Sequence, residues 1–119
     1  MADARTRSVS GQIVLPPDAP EKAGAVVVQV EDVSRADAPS TVVAEQRLEH
    51  VPLRDRDHLD FAIDVPADAI NPRGMYSLRA HVDTSGSGSV ERGDLVSTQS
   101  YPVLTGGAPD LARIVVKHV

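Results

Sequence analysis

Apolar and polar residues alternate with a period of two in about seven stretches of the chain, the pattern of strands that turn one face to a core and the other to water. The two clearest are adjacent. Leu59, Phe61, Ile63 and Val65 alternate with Asp60, Ala62 and Asp64, and Tyr76, Leu78, Ala80 and Val82 alternate with Ser77, Arg79, His81 and Asp83. A slip of one residue would bury Asp60 and Asp64, so the register is strongly specified. Val9, Gly11, Ile13 and Leu15 share parity in a further strand, and Ala25 to Val33 places Val26, Val28 and Val30 on one face. Val33 breaks that parity, as at a bulge or a strand end. Thr41 to Leu48, Leu95 to Tyr101 and Ala112 to His118 complete the set.

The connections carry turn chemistry. Pro16-Pro17-Asp18-Ala19-Pro20 stops the first strand because proline lacks the ladder donor, Pro66 to Gly74 has room for a single helical turn, and Gly106 to Asp110 separates the last two strands. Thr84 to Ser89 is a Gly/Ser tract and reads as a mobile hairpin tip. Valine occurs 18 times against eight Leu and four Ile, a choice that suits pleated sheet over helix. These features predict an all-β fold: a two-sheet antiparallel β-sandwich, Ig-like or transthyretin-like, of about seven strands. Residues 1–7 read as a flexible N-terminal tail and 8–119 as one domain, with Phe61 and Tyr76 filling much of the interior.

Composition narrows the function classes. Lys and Arg total 12 against 17 Asp and Glu, a net charge of −5, which argues against nucleic acid as a partner. Cysteine is absent, excluding disulfides, thiolate metal sites, a Cys nucleophile and Cys lipidation. With Phe61, Tyr76 and Tyr101 as its only aromatics, the chain lacks a stacking platform for sugars or single strands. The N-terminus has no apolar stretch of a leader, so the chain as written is expected in the cytoplasm, with no direct membrane anchor.

Chemistry-bearing residues form no recognisable constellation. His50, His58, His81 and His118 lack ligand-like spacing, and His81 has the outward parity of a solvated histidine. Ser85, Ser87 and Ser89 sit in the Gly/Ser tract without a GxSxG elbow. Asp60 and Asp64 would stand roughly 13 Å apart along a strand, too far for a glycosidase pair. Arg54-Asp55-Arg56-Asp57 reads as a solubilising turn. The expectation is therefore no catalytic residue, no cofactor and no metal.

The most distinctive stretch is Glu31-Asp32-Val33-Ser34-Arg35-Ala36-Asp37-Ala38-Pro39, a turn in which Asp side chains accept backbone N–H groups and Arg35 is within reach of Asp32 or Asp37. Binding residues favour such loops on rigid scaffolds, which makes Asp32, Ser34, Arg35 and Asp37 the candidate partner-binding residues. Together with Leu15-Pro16-Pro17-Asp18-Ala19, this stretch resembles the opening motifs of the YbaY-like lipoproteins, grouped with the YscW type of type III secretion lipoprotein chaperone, or pilotin. Ile70-Asn71-Pro72-Arg73-Gly74-Met75-Tyr76-Ser77-Leu78-Arg79-Ala80 and Tyr101-Pro102-Val103-Leu104-Thr105 match the same pattern in order, so the resemblance runs from about Val9 to Val116. It implies a compact β-sandwich without enzymatic activity and, for the pilotin branch, assistance to outer-membrane assembly of a secretin. The resemblance implies exported lipoproteins as relatives, whereas the sequence as written contains no lipobox cysteine and is expected to lack a leader.

The expected function is a non-catalytic interaction module that binds a protein partner, or itself, through a strand edge or the 32–39 loop. The competing expectation is a small ligand-binding or enzymatic β-sandwich, with an apolar pocket between the sheets where Tyr76, Tyr101, His81 or Asp64 would act.

Overall fold

Each alternating segment becomes a strand in the computed structural model, which describes residues 5–35 and 37–119. The strands are β1 (Thr6–Val14), β2 (Lys22–Asp32), β3 (Thr41–Pro52), β4 (His58–Pro66), β5 (Tyr76–Asp83), β6 (Leu95–Ser97), β7 (Pro102–Val103) and β8 (Leu111–His118). No α-helix occurs among the described residues. The single helical turn expected after Pro66 is a 3₁₀ turn at Ala67–Ala69. Strand β1 takes in Thr6 and Arg7, which the sequence pattern leaves in the tail, while residues 1–4 lie outside the described residues.

All-β architecture is as expected, but the arrangement differs from two separate antiparallel sheets. The strands form one mixed sheet in the order β3-β2-β5-β6-β8-β1-β4, with β7 alongside β5, curled until it is nearly a barrel. The difference lies in β8. It pairs antiparallel with β6 and parallel with β1, so it joins the two halves that a sandwich would keep apart. Gly11 permits that parallel contact: a Cβ there would lie 1.8 Å from the Ala112 carbonyl oxygen. Backbone cannot give way as a flexible side chain would, so only glycine lets the two strands meet. Arg7 reinforces the pairing by donating to the Leu104 carbonyl at 2.8 Å and by an ion pair with Asp110, just before β8.

Of the expected strand from Leu95 to Tyr101 only Leu95–Ser97 forms, as β6, and β7 begins just beyond it at Pro102. Thr98-Gln99-Ser100 offers no apolar side chain to bury, and the segment bows away from β5 while still serving it. Ser97 Oγ accepts the Ala80 N–H at 3.0 Å, and the Tyr101 carbonyl accepts that of Leu78 at 3.0 Å. The parity break near Val33 is a register shift at Val30/Glu31 opposite Val43, followed by the end of β2 at Asp32.

Inside the curl, Val9, Ile13, Val28, Val30, Ile63, Val65, Leu78 and Ile114 are buried around Phe61 and Tyr76. The Tyr76 hydroxyl reaches the core's rim, accepting the Asn71 N–H at 2.8 Å and donating to the Ala69 carbonyl at 3.3 Å. It thereby holds the 67–75 connection over one end of the sheet.

Strands β3 and β4 end the sheet and face one another across its open seam without pairing. Gln46 Oε1 accepts the Ala62 N–H at 3.1 Å, a side-chain bridge where a ladder would close a barrel.

Two substitutions test this packing. Phe61→Ala is expected to cost about 3–5 kcal/mol, read from the denaturant midpoint at unchanged slope. Gly11→Ala is expected to cost about 2 kcal/mol or more and to raise amide exchange across β8 while sparing the β2–β3 ladder.

Candidate functional site

The 32–39 loop forms much as its residue types dictate. Asp32 Oδ1 accepts the Ser34 N–H at 2.9 Å and the Ser34 hydroxyl at 2.5 Å, and these bonds hold the Asp32 carboxyl below its usual range. Ser34 Oγ in turn accepts the Met75 N–H at 2.9 Å, and the Val33 N–H donates to the Met75 carbonyl at 2.8 Å, docking the loop on the connection before β5. Asp32, Ser34 and Arg35 line a hollow of about 190 Å³ with Pro39, Thr41 and Asn71. Asp37 is exposed in the adjoining turn and does not line the hollow. Arg35 is exposed and forms no ion pair with Asp32 or Asp37 among the described residues. The hollow opens at the start of β3.

A second feature has no counterpart in the sequence reading. Thr84 to Ser89 is not a free hairpin tip: the 84–94 loop is bound around two buried carboxylates. Asp83, 1% exposed, accepts the N–H groups of Gly86 at 3.0 Å and Gly88 at 2.8 Å. Asp94, wholly buried, accepts the Thr84 N–H at 3.0 Å, the Thr84 hydroxyl at 2.7 Å and the Glu91 N–H at 3.0 Å, and lies 2.8 Å from His81 Nε2. Gly24 on β2 has no side chain to obstruct this loop, since a Cβ would come within 2.7 Å of the Gly86 nitrogen. His81 does project from the outer face, as its parity requires, yet its side chain is only 14% exposed because the loop lies beside it. Acidic residues at both ends of the Gly/Ser tract were the available signal.

His81, Asp83 and Asp94 bring ligand atoms within 4.8 Å of one another, the donor set of a metal site. Each carboxylate oxygen already accepts at least one N–H or O–H hydrogen, so the arrangement as built ties the 84–94 backbone to these acids.

Beside the loop, the outer face of β3, β2, β5 and β6 forms a groove of about 420 Å³. Its floor follows the ladder registers: Arg47, Val27, His81 and Val96 succeed one another from β3 to β6, with Glu45, Gln29 and Arg79 in the next row. Gly88 and Val90 form one wall, and Val90 is 57% exposed.

The groups proposed to act in an inter-sheet pocket are not brought together. Tyr76 points into the core and His81, on the same strand, out of it. The Tyr101 hydroxyl accepts the Val115 N–H at 2.9 Å, and Asp64 is exposed on β4. The remaining histidines lie apart. His118 is 2.9 Å from Asp18 and His58 is 2.7 Å from Asp57, contacts that lower both carboxyls, and His50 is exposed.

Residues 4–116 match the family described as type III secretion system lipoprotein chaperone (YscW). Among solved structures, the chain is similar to an alternative pilotin from the type II secretion system of Vibrio cholerae, with a TM-score of 0.80 and 25% identity over 97% of this chain and 98% of that one. A search of curated proteins gives no match.

The loop anchor has a pH signature. Burial raises the Asp94 carboxyl, but the hydrogen bonds from His81, the Glu91 N–H and Thr84 outweigh it and hold it down to about 2, against an ordinary 3.8. A carboxyl depressed in the fold stabilises it above its unfolded value and loses that contribution as pH falls toward the folded value. The difference corresponds to roughly 2 kcal/mol. Urea unfolding should therefore show Asp94→Asn less stable than the native chain at pH 7, with the gap closing between about pH 4 and pH 2. A gap that stayed constant over that range would contradict this account.

Proposed function

The chain belongs to the YscW family of type III secretion system lipoprotein chaperones, and from that membership we propose that it is a non-catalytic binding module for a protein partner of the secretin class, receiving an extended segment along the free edge of β3. The observation that carries this reading is the state of β3 itself. It ends the sheet, runs twelve residues and, among the described residues, has no strand paired on its outer side. Its inward row of Ala44, Gln46 and Leu48 is only half-buried, with Val43 half-buried beside it, so unpaired backbone and an apolar strip lie side by side.

An added strand would satisfy both at once: main-chain hydrogen bonds supply affinity and alternate side chains settle on the half-covered row. The Gln46 carboxamide bridges the seam to β4 by one side-chain hydrogen bond, which a partner strand can displace. The 32–39 loop runs directly into β3, and its hollow stands where the entering strand would end. Arg35 at the hollow and Asp37 in the adjoining turn, both exposed, offer charge contacts that select the partner.

The test is capture of the purified secretin encoded in the same genome, followed by biolayer interferometry. The native chain should bind it. Leu48→Lys, which places a charge on the half-covered row, should weaken binding about tenfold or more, and Arg35→Glu less. Thermal melting controls for folding. No capture by the native chain, or full affinity in folded Leu48→Lys, would overturn the reading.

A further inference from the structure

We infer that β3 pairs with β3 of a second copy of this chain, antiparallel about a two-fold axis at Gln46. This pairing shares its edge with the function proposed above but does not require the secretin: it is what occupies the edge when no other partner is bound.

The occupant follows from how the strand matches itself. Residues directly opposite one another in an antiparallel pair lie on the same face, so the axis must pass through a residue rather than between two. Regular extended backbone runs from Ala44 to Glu49, between the register shift at Val43 and His50, whose φ is 53°. Along it Glu45, Arg47 and Glu49 are exposed, and Ala44, Gln46 and Leu48 are half-buried. An axis at Glu45 sets two glutamates against each other. An axis at Arg47 joins two arginines and places each Glu45 against Glu49. Like charges opposite one another are unfavourable, which removes both registers. An axis at Leu48 faces Arg47 with Glu49 but meets His50 of each copy at the next position. At Gln46 the whole of Ala44–Leu48 pairs: Glu45 lies opposite Arg47 of the second copy, and symmetry repeats the contact. The inner row agrees, because Ala44 lies opposite Leu48 of the second copy, small against large, where each copy alone is half-covered.

Existing contacts leave these groups available. Arg47 touches Glu49 of its own strand through Nε at 3.5 Å, a weak contact between exposed side chains. Glu45 Oε1 accepts the Gln29 side-chain amide at 3.1 Å, and its other oxygen has no partner among the described residues. The main chain of β3 has no strand partner on this side among the described residues, and pairing exchanges the Gln46–Ala62 bond for main-chain bonds between copies. Val43 and His50 confine the overlap to a short stretch, so the dimer is weak and yields to a longer strand.

Sedimentation velocity of the full chain over a range of concentrations, without secretin, tests the pairing. The native chain should show a reversible monomer–dimer equilibrium. Each substitution counts twice across the axis, so Arg47→Glu should weaken dimerisation about tenfold or more. The swap Glu45→Arg/Arg47→Glu restores opposite charges and should return it to within about threefold of native. The chain has no cysteine, so a single introduced thiol reports position. Oxidised Gln46→Cys should give a disulfide-linked dimer, since opposite residues in a sheet come within disulfide reach. Glu49→Cys, about 20 Å from its own symmetry mate, should not. Melting curves confirm folding of each variant. A native chain that stays monomeric, Arg47→Glu that dimerises like native, a folded swap variant that does not recover, or Gln46→Cys that cross-links no better than Glu49→Cys would overturn the inference. Secretin capture by a monomeric native chain removes self-pairing and leaves the proposed function standing. A dimer that the swap restores, in a chain that captures no secretin, does the reverse.

Discussion

The close approach of β1 and β8 is the contact on which the rest of this architecture turns. Without it the strands would fall into two groups, β1 with β4 and β2 with β3, β5, β6 and β7, each with an apolar face needing a lid. β8 reaches both, antiparallel to β6 and parallel to β1, and makes them one curled surface around a shared interior. Glycine at position 11 is what the geometry demands, because any side chain would strike the Ala112 carbonyl. Curling, in turn, is what leaves β3 and β4 as ends that meet without pairing. The exposed edge used in the proposed function is thus a product of how the two halves are joined.

β3 therefore has two different sides. Along its free margin lie main-chain groups without a strand partner and a half-covered apolar row; on its outer face, Arg47 faces a groove whose far wall is the 84–94 loop. That wall is held by inward-facing acids: the Gly86 and Gly88 backbones offer their N–H groups to Asp83, and those of Thr84 and Glu91 go to Asp94. A carboxylate collecting such donors can be stable while fully buried, because each oxygen has a hydrogen-bond partner. The resulting loop is composed like a linker and held like part of the scaffold.

Much of the fold was legible from alternation alone. Leu59–Val65 and Tyr76–Val82 appear with the predicted faces, and the turn at Asp32–Ser34 forms through the side-chain acceptor that its residues provide. What eluded the sequence reading was long-range. Nothing local in Ala112–His118 says that it lies parallel to β1, since parity gives a strand's faces and not its neighbours. Thr41–Leu48 alternates least cleanly, because an end strand with a partly covered inner row has no sharp contrast between its sides. The Gly/Ser tract was misread because composition reports backbone freedom, whereas the acceptors that remove this freedom flank the tract at Asp83 and Asp94. His81 was half legible. Its direction followed from parity, and its shielding depended on a loop whose path composition does not reveal.

The pairing of Ser10 with Leu111 joins residues about a hundred positions apart. A polypeptide emerging from its first residue onward can form the β2–β3 hairpin early, but it must hold β1's second margin open until nearly all the remaining sequence has been delivered. Completion of the sheet is thus the last topological event available to a nascent chain. Until then, the valine-rich inner surfaces of the two halves stay exposed to aggregation and within reach of cellular holding factors.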